Sequence, residues 1–342
     1  MRARITGIEI EGFRAIRKPL RLSLEDEASR PLDRVLLAGP NGRGKTSVLE
    51  AMLLALGREE LIVRDLPAAR REDHWRVEIP PGARVMLNCQ IHPTELHSIL
   101  KTAGQAFTVV RTATQWEVQG TGGAVDMSDP GQVRESLGQI AVEYFSSWRA
   151  PVLPGGLQPT TGGRPPVDNE ANRLRRIKQR IINERARRAF ARGAAQAEAH
   201  DEAWLRRLNV VWQAFHRDGS TIEAGIVDHD ADDPLFDLFV FDGPVRRCSI
   251  DQISSGELEL VTIAGTLLLA DFAGILLIDE PELHLHREWQ TRLLDVLGAM
   301  APEAQLIIAT HADAPWNQAF SFERFFLAPP GDARAGEPSG EA

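Results

Sequence analysis

With 342 residues, 43% of them hydrophobic and 25% charged, the chain is long enough to bury a large core and has the composition of a folded globular protein. Its formal net charge of -9 excludes a polycation that coats nucleic acid with its whole surface, so any such contact must use a local basic patch. The two cysteines, Cys89 and Cys248, lie far apart and outside any metal-ligand spacing, which fits a reducing cytoplasm.

Residues 4–11 alternate apolar and polar as a strand, Phe13 to Ile16 read as a turn, and Leu20 to Leu24 alternate again. Arg34 to Ala38 is a short apolar strand running into a glycine-rich loop, and Ser47 to Leu56 carries a helical pattern. From about 75 to 147 several strands are expected, among them Val85 to Ile91, Phe107 to Thr112 and Gln115 to Val118, as a β-rich part of an N-terminal lobe spanning 1–150. Residues 151–170, dense in Pro, Gly and Thr, read as a flexible linker, and 171–217 as a basic helical arm of two helices broken near Gly193. A C-terminal lobe spans 218–328: strands after the acidic stretch 228–237, a helix from Ser255, a strand to Asp279, a helix from Arg287 and a strand from Gln305 to Thr310. Residues 329–342 are expected to be disordered. The apolar run from Leu260 to Ile278 is nearly long enough to cross a bilayer, but Asp271 and Gly274 interrupt it and it ends in Asp279 and Glu280. A buried helix followed by a buried parallel strand fits better, and no membrane contact is expected. Alternating helices and apolar strands predict an α/β fold with a mixed, mainly parallel sheet.

Gly39, Pro40, Asn41, Gly42, Arg43, Gly44, Lys45 and Thr46 satisfy the phosphate-loop pattern GxxxxGK[ST] between a predicted strand and a predicted helix that continues through Ser47. Glycines let successive backbone N–H groups turn towards phosphate oxygens, and the helix start adds its positive dipole end. Lys45 is expected at the β and γ phosphates of ATP, and the Thr46 hydroxyl on Mg²⁺. Far downstream, the apolar strand Ile275 to Ile278 delivers Asp279 and Glu280 at its C-terminal edge, where parallel-sheet proteins bind ligands. The first carboxylate suits Mg²⁺ and the second suits the polarisation of an attacking water.

Ile253, Ser254, Ser255, Gly256 and Glu257 resemble the signature motif of ABC-type ATPases, with Ser255 and Glu257 standing where the usual form has glycine and glutamine. That variation, the text PELHLH from Pro281 to His286, and the opening IEIEGFRAI from Ile8 to Ile16 are similar to the RecF, SMC and OLD branch of these ATPases. The resemblance implies a P-loop fold with an N-terminal antiparallel β subdomain and a shortened helical arm where SMC proteins carry long coiled coils. It implies that Ser254 and Gly256 bind the γ phosphate held by a second copy's P-loop, that His311 is the switch histidine, and that Arg14 approaches the phosphates. Gln90 is one candidate for the Q-loop glutamine. His284 and His286, at the D-loop position, are expected at a dimer contact rather than on a metal.

A nucleotide-sandwiched homodimer follows from that resemblance, closing around ATP and Mg²⁺ and opening on hydrolysis. The positively charged residues from Arg173 to Arg192, with Glu184 alone opposing them, are the local patch that DNA or RNA would need, though a solvated face or an acidic partner would account for them equally. OLD-like relatives carry a nuclease domain after the ATPase, whereas little sequence follows His311 here. The expectation is an ATPase acting with a separate nuclease or other effector subunit, in DNA repair or in anti-phage defence such as Septu systems. The alternatives are the nucleotide-binding subunit of a transporter, which the FRAI and PELHLH text disfavours, and a non-hydrolysing scaffold, which Glu280 disfavours.

Overall fold

The computed structural model describes residues 2–64, 77–91, 104–120, 123–124, 130–149, 153–159, 173–190, 197–228 and 235–327. The chain divides into two compact units: 1–149 with 273–283 and 302–342, and 150–272 with 284–301. The boundary is therefore crossed several times, where the sequence suggested consecutive lobes.

In the first unit, β1 (Ala3–Glu11), β2 (Leu20–Ser23), β3 (Arg34–Ala38), α1 (Lys45–Ala55) and α2 (Glu59–Arg64) are followed by β4 (Arg84–Ile91), β5 (Ala106–Thr112), β6 (Trp116–Gly120), β7 (Gly123–Ala124), α3 (Pro130–Gly138) and β8 (Val142–Phe145). Six of these strands form an antiparallel sheet in the order β2-β1-β4-β5-β6-β7. Strand β1 alternates in and out of the core, with a register shift between Ile5 and Gly7. β8 belongs elsewhere. It was expected among the strands of the β-rich part, yet it pairs in parallel with a strand more than a hundred residues downstream, a partner that no local pattern reveals.

That partner is β12 (Ile275–Asp279), the centre of a five-stranded parallel sheet completed by β13 (Gln305–Thr310) and β14 (Arg324–Phe326), in the order β14-β3-β13-β12-β8. Every residue of β12 and β13 is buried, as the unbroken apolar runs of a sheet covered on both faces require. Helix α1 is buried along nearly its whole length because it packs against strands of both sheets, and Val48, Met52 and Leu53 join the core that also holds Ile5, Leu87 and Ile307. A short helix, α9 (Asp313–Gln318), leads from β13 towards β14. Gly274, just before β12, has no room for a side chain: a Cβ there would lie 2.2 Å from the Ala141 carbonyl oxygen.

The second unit holds α4 (Arg173–Phe190), α5 (Ala197–Phe215), the antiparallel sheet of β9 (Thr221–Ile226), β10 (Phe236–Asp242) and β11 (Val245–Ser249), then α6 (Ser255–Ala270), α7 (Arg287–Gln290) and α8 (Leu293–Met300). Helix α6 packs against α4, α5 and α8. Gly265 allows the approach of α4, since a Cβ there would stand 2.5 Å from Ile177 Cδ1.

Two expectations change here. The flexible linker is tied down over 153–159: Leu157 exchanges backbone hydrogen bonds of 2.7 and 2.8 Å with Phe236, and the Gly155 carbonyl accepts a bond of 3.3 Å from Lys178. The remainder of that linker lies outside the described residues, as do the tail 329–342, Arg192 and the acidic residues Asp230, Asp232 and Asp233. Among the described side chains the basic run of α4 does not form one positive face either. Arg173 and Lys178 are buried, and Lys178 lies fully buried 2.6 Å from both Asp237 and Asp251. Arg175, Arg180 and Arg185 are exposed. Leu174, Ile177, Ile181 and Ile182 interleave with these residues as the buried stripe of an amphipathic helix, so composition alone overstated the charge presented to solvent. Among the described residues no helix is long and apolar enough to cross a membrane.

Candidate functional site

The phosphate loop leaves β3 at Ala38 and enters α1 at Lys45. Gly39, Gly42 and Gly44 take φ values of 146°, 77° and 93°, the region that L side chains avoid. A Cβ on Gly39 would lie 2.6 Å from the Leu327 carbonyl oxygen, so this glycine is demanded by packing as well as by φ. Gly44 precedes α1 without a side-chain cap, which leaves the first backbone N–H groups of an eleven-residue helix to whatever anion the loop holds. Pro40, Asn41, Gly42 and Arg43 are exposed, Ser47 is buried, and the Lys45 ammonium donates to the carbonyls of Gly39 at 2.9 Å and Pro40 at 3.5 Å.

The carboxylates arrive from the neighbouring end of the parallel sheet. Thr46 Oγ1 donates to Asp279 Oδ2 at 2.8 Å, joining residues of the first helix to the end of β12. Asp279 is almost fully buried, and burial, with the nearby Glu280 charge, raises its pKa despite the Thr46 hydroxyl and weaker help from Ser147 and Arg149. Its Oδ1 is buried and makes no well-formed hydrogen bond. A hydroxyl and a desolvated carboxylate side by side, with an oxygen unsatisfied, fit the donor set of Mg²⁺, which takes one or two protein oxygens and keeps its remaining positions for water and phosphate.

Glu280 follows in the left-handed region at φ 50°, strained for a residue with a side chain. Its N–H donates to Ala309 O at 2.7 Å. The buried Arg149 spans the same turn, donating to the carbonyls of Asp279 at 2.5 Å, Glu280 at 2.8 Å and Ser146 at 2.7 Å. Arg149 is given no role in the sequence analysis. Its placement after the apolar strand Val142 to Phe145 was the available signal, once that strand is read as parallel.

His311 leaves β13 beside these acids, with Nδ1 3.4 Å from Glu280 Oε1 and 3.3 Å from Glu282 Oε1. Glu282, read in the sequence only as part of the PELHLH text, is a second residue given no role of its own there. Its buried Oε1 accepts from Thr310 Oγ1 at 2.6 Å, His311 N at 2.9 Å and Ala312 N at 3.3 Å.

Arg14 lies in the turn after β1 at φ 49° and forms an ion pair with Glu50, a buried residue of α1. Gln90 is ruled out as a γ-phosphate sensor. It pairs in register with Arg4, whose guanidinium meets Asp33 at 2.9 Å, just before β3 begins, whereas the phosphate loop follows the other end of that strand.

The signature residues belong to the second unit. Ser254 caps α6: its hydroxyl accepts from Glu257 N at 3.3 Å while Glu257 Oε2 accepts from Ser254 N at 2.7 Å, a reciprocal capping box. Gly256 faces the backbone, and a Cβ there would sit 2.4 Å from the His284 carbonyl oxygen. His284 itself takes φ 65°, and His286 caps α7. No group of three or more potential metal-binding side chains occurs among the described residues.

Residues 180–314 match the protein family described as "AAA domain, putative AbiEii toxin, Type IV TA system". The match runs from α4 through the signature, Asp279 and Glu280 to His311. A 48-residue stretch is 40% identical to the Septu protein PtuA of Bacillus thuringiensis, covering 14% of this chain and 12% of that protein. Among solved structures, an SMC head bound to the C-terminal winged-helix domain of ScpA superposes with a TM-score of 0.54 at 18% identity, covering 92% of each chain. The SMC head of Pyrococcus furiosus, with an extended coiled coil and the C-terminal domain of ScpA, gives 0.53 at 14% identity over 93% of this chain and 92% of that one. Those structures establish likeness of fold. The chain therefore has the fold of SMC heads, and its residues 180–314 are similar to that AAA family.

Proposed function

We propose that the protein hydrolyses ATP with Mg²⁺ in a homodimer whose two copies share nucleotides, and that this cycle drives a separate effector in anti-phage defence or another DNA-related process. One observation carries the reading: Thr46, Asp279, Glu280 and His311 are joined by hydrogen bonds and close contacts within one unit, directly beside the phosphate loop. Lys45 and the N–H groups at the start of α1 bind the β and γ phosphates. Thr46 and Asp279 hold Mg²⁺, which supplies positive charge against the phosphate oxygens when bound. Glu280 orients and polarises the attacking water, its backbone held by Arg149, and His311 faces the γ phosphate. Ser254 and Gly256 of a second copy complete the site, so the dimer closes only around ATP. The matched stretch of a Septu protein supports the defence setting. Arg175, Arg180 and Arg185 of α4 offer the exposed positive charge for a DNA or RNA contact.

Glu280→Gln tests the cycle. Light-scattering mass with ATP and Mg²⁺ should show a dimer that persists in this variant, whose hydrolysis falls about a hundredfold or more. A monomer throughout, with nucleotide bound, would refute the sandwich.

A further inference from the structure

The signature of this chain contains an acid, Glu257, in the first turn of the helix that is to receive a phosphate. A carboxylate there repels the incoming anion, and the structure places a counter-ion against it. His216, one residue past α5, directs Nε2 to Glu257 Oε1 at 2.8 Å and Nδ1 to the Trp212 carbonyl at 3.0 Å. Both partners are oxygens with no proton to give. A neutral imidazole carries one N–H and satisfies one of them, whereas the imidazolium satisfies both. The ring also stacks on the Trp212 indole, with centroids 3.7 Å apart and planes 14° from parallel, an arrangement that favours a cation, and Trp289 closes its edge at 4.8 Å. The other charged groups around it come from its own segment and two further ones. Asp218, just after α5, is held 3.1 Å from Arg247 of β11, Arg217 is exposed beside it, and Arg292, between α7 and α8, donates to the Ala214 carbonyl at 2.7 Å.

We propose that His216 is a positioning residue for the signature: as an imidazolium it holds Glu257 in the Ser254 cap and offsets its charge against the phosphate received at the start of α6. Deprotonation removes one of the two hydrogen bonds and exposes that phosphate to an uncompensated carboxylate. ATP-dependent dimerisation is therefore favoured at the acid side of the histidine range, while nucleotide binding at the phosphate loop is unaffected. The inference rests on the reading that Ser254 and Gly256 take the γ phosphate of a second copy.

The experiment measures the dimer dissociation constant of the full chain with ATP and Mg²⁺ between about pH 6 and pH 8.5. It compares wild type, His216→Gln, Glu257→Gln and the double variant, with thermal unfolding to confirm that each folds. Wild type should weaken about tenfold across that range, an effect of the size expected for a charge at a helix end. His216→Gln should be weak at both ends, and adding Glu257→Gln should restore it, which a purely structural histidine does not predict. Nitrogen NMR of the His216 ring should show two protonated nitrogens at the acid end and a smaller protonated fraction in Glu257→Gln at the same pH. Identical pH profiles in wild type and His216→Gln, or no rescue by Glu257→Gln, would overturn the proposal. Absence of any ATP-dependent dimer in wild type would overturn the sandwich reading instead, and the NMR result would still decide whether His216 and Glu257 form the charged pair.

Discussion

Gly256→Ala separates what the signature glycine does for the fold from what it does for a nucleotide. The added Cβ would stand 2.4 Å from the His284 carbonyl oxygen and at an ordinary 3.6 Å from Leu285 Cδ2. The obstacle is backbone, and His284 is already in the left-handed region at φ 65°, so the clash is not relieved by swinging a side chain aside. Real contacts of this kind begin above 3 Å, which requires the start of α6 or the turn at His284 to shift by well over half an ångström. Overpacking of this severity costs about 1–3 kcal/mol. For a domain of this size each kcal/mol lowers the midpoint by roughly 2–4 °C, so a loss of about 2–12 °C is expected without any nucleotide. Thermal unfolding of the apo protein is the assay. Ser254→Ala serves as the comparison, because it removes a cap worth about 1 kcal/mol and adds no atom. An apo midpoint for Gly256→Ala within a degree of wild type would refute the packing argument and leave ligand contact as the glycine's sole role.

Asp279→Asn should make the apo protein more stable at neutral pH and remove stabilisation by Mg²⁺. Burial raises the folded-state pKa of Asp279, so its ionised form opposes folding. The penalty is absent where the acid is neutral in both states. It grows as pH rises from the ordinary carboxylate value towards the raised one and is constant above it, so denaturant titrations of the two proteins should converge at acid pH and diverge, with Asp279→Asn the more stable, at neutral pH. Equal stability at neutral pH would count against the desolvated site. Arg149→Ala should leave ATP affinity near wild type and lower kcat about a hundredfold, because Glu280 loses its backbone support, and calorimetry with phosphate-release kinetics checks the split. An unchanged kcat would remove Arg149 from the site. Lys178→Met should cost about 3–5 kcal/mol in urea unfolding, since Asp237 and Asp251 would then face one another without the buried ammonium. A loss under about 1 kcal/mol would mean that the carboxylates escape to water.

The parts of the site carried by contiguous text were legible: β3, the loop to Thr46, and β13 follow from short apolar runs and a glycine pattern that have few other physical uses. What stayed hidden depends on pairing between distant segments. Arg149 meets Asp279 across 130 residues, and β8 becomes a site-bearing strand only through its parallel register with β12. Glu282 was legible as a residue near Glu280, but its burial under Thr310 and His311 is a product of the turn after β12. The basic run of α4 misled for a different reason. Counting charges ignores helical phase, and phase sends Lys178 into the interior while Arg175 and Arg180 remain outside.

The single Glu282 oxygen that gathers the Thr310 hydroxyl and the N–H groups of His311 and Ala312 has a thermodynamic consequence. The spacing between Glu280 and His311 is fixed by the protein's own bonds before any nucleotide arrives. Under the proposed function, ordering these two groups draws nothing from the binding energy of ATP, which remains for closing one copy on another.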